Sequence, residues 1–167
     1  MGMTGNLLRV TNDELEKYLK DSSLLENNIY NDETDGENPN LVDIDKAWEG
    51  IIFLLTGQSL ANADHPLLNV LFSGQLIDDE QDLGYGPAHY LTPEQVKDLN
   101  DQITDITTVD LKQKYDPRRM SELEIYPTIW EEEGDGAFEY LSEYFINLQE
   151  AYLEAAKNGE AIITFIS

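Results

Sequence analysis

The sequence contains no cysteine and only two histidines, His65 and His89, among its 167 residues. Without cysteine there is no disulfide, no thiolate nucleophile and no zinc ribbon. The two histidines do not form an H-E-x-x-H or similar ligand pair, so a zinc enzyme is not predicted. We expect no metal site and no cofactor. A chain of this length can bury enough apolar surface to fold without a disulfide or a metal.

Long apolar runs and the usual catalytic signatures are also missing. No run approaches 18 apolar residues, and the opening MGMTGNLLRV lacks the basic and apolar regions of a signal peptide. We therefore expect a soluble cytoplasmic protein. No G-x-S-x-G nucleophile motif occurs, and the segment Gly84-Tyr85-Gly86-Pro87 lacks the third glycine and the lysine of a phosphate-binding loop. No catalytic residue is predicted, and a non-enzymatic role is favoured.

Positive charge is scarce, because ten lysines and arginines face 34 acidic residues and the net charge is −24. Nucleic-acid backbones and anionic membranes are disfavoured as partners, since both are bound through lysine and arginine. Lys46 is the only cation between Asp21 and Val96, and five of the ten cations lie between Lys97 and Arg119. The favoured partners are cations or basic proteins.

Three short acidic segments are predicted to form the interaction surface. Their carboxylates would attract a cationic partner and steer its approach. The alternative is that these residues only coat a solvated surface, as charge runs commonly do. An EF-hand is not predicted, because aligning Gly36 with loop position six places Val42 where a bidentate glutamate is required. The predicted surface residues are Asp32, Glu33, Asp35, Glu37, Asp78, Asp79, Glu80, Asp82, Glu131, Glu132, Glu133 and Asp135.

A second candidate site consists of aromatic residues with polar atoms. In this hypothesis they line a cleft to which Glu124 or the Arg118–Arg119 pair adds charge. The alternative is that the aromatic side chains fill the core and that the basic cluster 112–119 pairs with nearby acids. The candidate cleft residues are Trp48, Tyr85, His89, Glu124, Tyr126 and Trp130.

Strand-like segments near both ends of the chain, with helices between them, predict a single compact α+β domain over residues 1–167. Asn6–Val10 and the segment AIITFIS (161–167) could pair in one small sheet packed against several helices. Thr11 with Glu14 and Thr92 with Gln95 are capping boxes that begin helices. Residues 27–42 are polar and acidic and are predicted to form a loop.

Two further helices show clear signals. KAWEGIIFLLTG (46–57) is apolar nearly all round, which predicts a buried helix begun by Asp43 or Asp45 and ended by Gly57. In the first helix, Leu15, Tyr18 and Leu19 form the apolar stripe. The last helix has apolar residues at spacings of three and four, with Asp135 as its predicted N-cap and Asn158-Gly159 at its end.

Four motifs, in the same order, resemble the YfbM-like family of bacterial proteins. They are MGMTG, LVDIDKAWEGIIFLLTG, LGYGPAHYLTPEQV and MSELEIYPTIW. The resemblance spans essentially the whole chain and implies a compact α+β domain in the bacterial cytosol, with no catalytic residue to carry over. Relatives often have a histidine in the helix after the tryptophan, where this chain has Ile52. This difference favours a structural or binding role for the segment.

Two functional hypotheses follow. The first is a non-enzymatic acidic interaction protein, such as an immunity-type inhibitor that binds a basic toxin or another cationic protein. The second is a small-molecule-binding or enzymatic pocket built from the aromatic residues. The sequence predicts no particular oligomeric state.

Overall fold

In the computed structural model, which describes residues 2–30 and 38–167, four strands form one antiparallel sheet in the order β2-β1-β4-β3. β1 pairs with β4 from Gly5 opposite Ile166 to Val10 opposite Ala161. The predicted pairing of the two end strands is therefore confirmed, and so is the α+β class. The strands are β1 (Gly5–Val10), β2 (Leu41–Asp43), β3 (His89–Leu91) and β4 (Ala161–Ile166).

Both faces of this sheet are covered. Leu7 and Ile162 belong to a large core cluster on one face, whereas Leu8 and Ile163 belong to a second cluster on the other. Successive side chains of a strand point to opposite faces, so a strand that contributes to both cores needs apolar residues on both of its faces. This is why AIITFI is apolar apart from Thr164, whose hydroxyl donates to the Leu71 carbonyl.

The helices divide between these two faces. The first core contains side chains of α3 to α8, and the second contains those of α1 and α2 together with residues 77–88. No helix in the described part of the chain is long and apolar enough to cross a membrane. The helices are α1 (Asn12–Lys20), α2 (Ser23–Ile29), α3 (Trp48–Thr56), α4 (Pro93–Ile103), α5 (Thr108–Lys114), α6 (Pro117–Glu122), α7 (Trp130–Glu133) and α8 (Asp135–Asn158).

Local hydrogen bonding confirms most of the predicted helix ends. Thr11 with Glu14 and Thr92 with Gln95 form complete capping boxes at the starts of α1 and α4. Gly57 and Gly159 end α3 and α8 in the left-handed conformation that glycine adopts without strain. α3 is buried over most of its length, as its composition predicts.

Three predicted boundaries are corrected. The predicted 27–42 loop is wrong at both ends, because α2 continues to Ile29 and β2 begins at Leu41 where it pairs with β1, and residues 31–37 lie outside the described part of the chain. Asp43 accepts a hydrogen bond from the Asp45 N–H at 2.7 Å instead of capping α3, which follows directly from a 3₁₀ turn over Asp45–Ala47. Gly134 is the N-cap of α8, so Asp135 is its first helical residue.

One residue of the predicted α1 stripe is also misplaced. Leu15 and Tyr18 are buried against the second core, but Leu19 is 41% exposed. Its position near the end of α1 places it at the edge of the covered surface.

Candidate functional site

The structure brings three of the candidate cleft residues into one cluster, joined by Phe72. Trp48 stacks on Tyr126 with ring centroids 5.4 Å apart and an interplanar angle of 25°. Trp48 also meets Phe72 edge to face at 5.9 Å, and Phe72 meets His89 in the same way at 5.6 Å. We call these four residues the aromatic centre. Their contacts have the offset and edge-to-face geometries that stabilise packed aromatic pairs.

The polar atoms of the aromatic centre bond to the opening segment of the chain. The Trp48 indole N–H donates to the Met3 carbonyl at 2.9 Å, and the Tyr126 hydroxyl accepts from the Met3 N–H at 2.9 Å. A Cβ on Gly5 would lie 2.9 Å from the Cβ of Trp48. Glycine in the MGMTG motif therefore allows the strand to pass close to this tryptophan.

Glu49, in α3, links the aromatic centre to a second segment of the backbone. Its carboxylate is almost fully buried, and its two oxygens accept from the N–H of Tyr126 at 2.8 Å and of Leu60 at 3.1 Å. A buried carboxylate needs such donors to offset the loss of water. Glu49 thereby ties together two segments that are distant in sequence, and both of its oxygens are engaged.

His89 also has a structural contact. The Gly74 N–H donates to His89 Nδ1 at 3.1 Å, which requires an unprotonated nitrogen. Burial lowers the pKa of His89 below its ordinary value of 6.5, so the neutral ring is favoured. The imidazole is therefore an acceptor that fixes the turn at Gly74.

The remaining candidate cleft residues do not join the centre. Trp130 is fully buried, and its indole N–H donates to the Ile125 carbonyl at 2.8 Å. Tyr85 is 53% exposed, and its N–H bonds the carbonyl of Ile166. Glu124 is exposed and has a left-handed backbone with φ of 54°. The six predicted residues therefore do not form one continuous cleft.

The acidic segments lie on different sides of the sheet. Residues 78–82 are flanked by Ile77 and Leu83, which are buried in the second core, whereas residues 131–135 follow Trp130 in the first core. Asp32, Glu33, Asp35 and Glu37 lie outside the described residues.

Some of these carboxylates have local structural partners. Asp82 accepts from the N–H groups of Gly84 and Gly86, and these bonds lower its pKa. Asp78 accepts from the Ser22 hydroxyl at 2.7 Å and from the Glu80 N–H, and its pKa is lowered for the same reason. These two residues shape the 78–82 loop and stay ionised there.

The basic cluster pairs partly with nearby acids. Lys112 lies 2.9 Å from Asp135, which lowers the pKa of that carboxyl, and Arg118 and Arg119 approach Glu122 at 3.5 and 3.4 Å. Lys112 also sits over the ring of Phe138, 4.7 Å from its centroid. These contacts agree with an intramolecular role for the cluster.

Most acidic charge on the described surface has no cation beside it. Over residues 2–30 and 38–167, only the carboxylates of Glu122, Asp135 and Glu160 lie within 4 Å of a lysine or arginine nitrogen. No group of three or more acidic or histidine side chains in these ranges is arranged to hold a metal ion. The excess negative charge is therefore spread over the surface.

A sizeable cavity lies beside Gly74 and Leu76, which both contact His89 of the aromatic centre. It has a volume of about 690 Å³ and separates the end of α1 from the segment 74–79. Its lining includes Leu19, Asp21, Leu76, Asp78 and Asp79. We call it the edge cleft.

A family model described as "Domain of unknown function (DUF1877)" matches residues 1–165. The chain belongs to this family. It is also similar to a solved structure, the crystal structure of YfbM from Escherichia coli, a protein of unknown function. The identity is 21%, the TM-score is 0.76, and the match covers 98% of this chain and 99% of that chain. This likeness shows a shared fold. No curated protein matches the chain.

The motifs of the YfbM-like resemblance meet at the aromatic centre. MGMTG supplies Met3, the KAW segment supplies Trp48, and the later motifs supply His89 and Tyr126. Ile52, at the position where the resemblance expects a histidine, is fully buried in the first core. In this chain these motifs therefore determine packing between distant segments.

Sequence reasoning misses Glu49, Phe72 and the edge cleft. An acidic residue within the apolar run WEGIIFLL is a signal that could have identified Glu49, since a buried helix rarely carries an unpaired carboxylate. Phe72 and the edge cleft have no local signal. They depend on which segments the fold brings together.

Proposed function

We propose that this protein is a non-enzymatic, cytoplasmic interaction protein that binds a basic protein partner. An immunity-type inhibitor of a basic toxin is the specific form that we favour. The observation that carries the proposal is the unpaired acidic surface. The net charge is −24, and within the described ranges three carboxylates have a cationic neighbour.

Such a surface suits binding of a cationic protein. Surface carboxylates without intramolecular partners keep their full field, which steers a positively charged partner and raises its association rate. The exposed residues Asp79, Glu80 and Glu131 to Glu133 are of this kind. The same field opposes binding to nucleic acids and anionic membranes.

The aromatic centre supports this proposal indirectly. The indole N–H groups of Trp48 and Trp130 and the hydroxyl of Tyr126 all bond backbone groups of the chain. Glu49 and His89 are engaged in the same way. Groups with internal partners are poorly suited to acid–base chemistry on a substrate.

One observation favours a second candidate function, a small-molecule or enzymatic pocket. Asp45, Glu124 and Thr128 have φ values of 50°, 54° and 66°, and they flank Lys46 and Tyr126 in the chain. Non-glycine residues held in this conformation cluster at ligand-binding sites. A fragment screen that follows the Trp48 indole N–H by NMR would test it, with the Trp130 indole N–H as the internal control.

The experiment for the main proposal is an affinity capture of partners from lysate of the source organism at low and high salt. We expect one basic protein retained near one-to-one and released by salt, because exposed charges are screened within about 10 Å at 0.1 M salt. The control is a charge-reversed protein carrying Glu131→Lys, Glu132→Lys and Glu133→Lys. Capture that is empty at low salt, or unaffected by salt, would contradict the proposal.

A further inference from the structure

The edge cleft carries two exposed leucines beside acidic side chains. Leu19, near the end of α1, is 41% exposed, and Leu76, across the cleft, is 36% exposed. Asp21, Asp78 and Asp79 line the same cavity. Apolar contact area beside mainly acidic side chains suits a partner segment that carries both apolar and cationic side chains.

The segment that forms one wall of the cleft extends the sheet beyond β3. The Ile77 N–H donates to the Ala88 carbonyl at 2.9 Å, and the Tyr90 N–H donates to the Gln75 carbonyl at 2.8 Å. Between these bonds Leu76 faces His89 in an antiparallel bridge. Residues 75–77 therefore form the outermost strand-like segment on this side of the sheet.

The outer edge of this segment is open. The bonds to β3 use Gln75 and Ile77, so the N–H and C=O of Leu76 point away from the sheet. Neither group bonds any residue in the ranges 2–30 and 38–167. An unpaired strand edge is a template for another extended chain.

The charge of the edge cleft determines which kind of peptide segment could pair there. Asp79 is exposed and has no cation within 4 Å among the described residues, and Asp78 accepts from Ser22 and stays ionised. Lys20 is the one cation in the lining, against three aspartates. The field in the cleft is therefore negative.

We propose that the edge cleft binds an extended cationic segment of the protein partner, added to the edge of residues 75–77. The Leu76 N–H would donate one backbone hydrogen bond to this segment, and the Leu76 C=O would accept one from it. Alternate side chains would contact Leu19 and Leu76, and lysines or arginines between them would meet Asp78 and Asp79. This inference rests on the proposed function and names the place and form of the contact.

The test uses the full chain, labelled with ¹⁵N, and a capped peptide of sequence Lys-Val-Lys-Val-Lys as the probe. At saturating peptide we expect hydrogen exchange of the Leu76 amide to slow at least about tenfold, because it gains an acceptor. The Ile77 amide already bonds Ala88 and serves as the internal control. A peptide N-methylated at both valines and the central lysine keeps its charge but should give no protection.

A matched pair of variants separates the cleft from general charge. Asp79→Lys and Glu80→Lys make the same change in net charge at adjacent exposed positions, but only Asp79 lines the cavity. We expect Asp79→Lys to raise the Kd of the peptide about tenfold and Glu80→Lys to raise it at most about threefold.

Three results would decide the matter. Slowed exchange at Leu76 together with a larger effect of Asp79→Lys supports the proposal. Equal effects of the two variants, or unchanged Leu76 exchange at saturation, would overturn the edge cleft while salt-sensitive capture of a basic protein still supports the proposed function. No peptide binding at low salt together with an empty capture would overturn both.

Discussion

The aromatic centre and the edge cleft use their polar groups in opposite ways. In the aromatic centre, Trp48 and Tyr126 form hydrogen bonds with the opening segment of the chain, and both carboxylate oxygens of Glu49 accept hydrogen bonds from backbone N–H groups. In the edge cleft, the backbone groups of Leu76 and the carboxylate of Asp79 have no partner in the described part of the chain. Satisfied groups stabilise a fold, whereas unsatisfied groups at an open surface are available to another molecule.

The family motifs and the proposed binding site also lie in different ones of these two regions. The motifs that identify the family meet in the aromatic centre, where they fix the packing of distant segments. The edge cleft is made by the end of α1 and a short segment outside β3. Motif content alone would therefore direct attention to a region whose polar groups already have partners within the chain.

The largest expected effect is the loss of Trp130 from the first core. Trp130→Ala should lower the free energy of unfolding by about 3–5 kcal/mol, because it leaves a cavity beside Leu141 and Gly50. Denaturant unfolding measures the change. The control Tyr85→Ala removes a large but exposed ring and should cost less than about 0.5 kcal/mol. Similar losses for the two variants would contradict the assignment of Trp130 to packing.

A smaller loss of stability is expected from Glu49→Gln. The amide keeps one acceptor but places an NH₂ group against the N–H of Leu60 or Tyr126. Leaving a buried donor unpaired costs about 1–3 kcal/mol. We expect the free energy of unfolding, measured with denaturant, to fall by this amount. The control Glu139→Gln changes the same group on the exposed side of α8. If Glu49→Gln were as harmless as this control, the bridging role of the carboxylate would be wrong.

His89 should give the protein a pH dependence near neutrality. Its pKa is lowered by burial, so the unfolded chain binds more protons than the folded chain between 6.5 and the folded value. Stability is thus full above pH 6.5 and falls as pH decreases through that window. Thermal unfolding across pH 7.5 to 5 should show a shallower slope for His89→Gln than for the unsubstituted protein.

The smallest effect is expected from Asp82, which shapes the acidic loop. Hydrogen bonds from Gly84 and Gly86 lower its pKa below the ordinary 3.8. Its contribution is present above 3.8 and is lost as pH falls through the folded pKa. Asp82→Asn keeps an oxygen that can accept these N–H groups but does not titrate, so the variant should be slightly less stable near neutral pH and its stability should fall less steeply as the pH decreases. An identical acid limb would show that these bonds do not stabilise the loop.

Much of the fold is predictable because it depends on local signals. The capping boxes at Thr11 and Thr92, the apolar run in β4 and the glycine ends of α3 and α8 all act within a few residues. The short strand β2 and the true start of α3 lack such signals. β2 forms because β1 offers an edge to pair with, and the 3₁₀ turn at Asp45 then replaces the expected cap.

The site is less predictable, for a physical reason. Residue type singles out the aromatic side chains, but their partners, Met3 and Phe72, are known only from the fold. Composition identifies the acidic segments, yet it cannot show that 78–82 and 131–135 belong to different sides of the sheet. The open backbone of Leu76 has no signature in the sequence, because any residue type could occupy an unpaired edge.

The most direct measurement compares the two regions with one probe. The Kd of the Lys-Val-Lys-Val-Lys peptide and the Tm are measured for the unsubstituted protein, Tyr126→Phe and Asp79→Lys. Tyr126→Phe removes the acceptor of the Met3 N–H, so we expect a lower Tm and an unchanged Kd. Asp79→Lys should leave the Tm unchanged and raise the Kd about tenfold. A Kd that rises with Tyr126→Phe and not with Asp79→Lys would place binding at the aromatic centre and contradict the separation of the two regions.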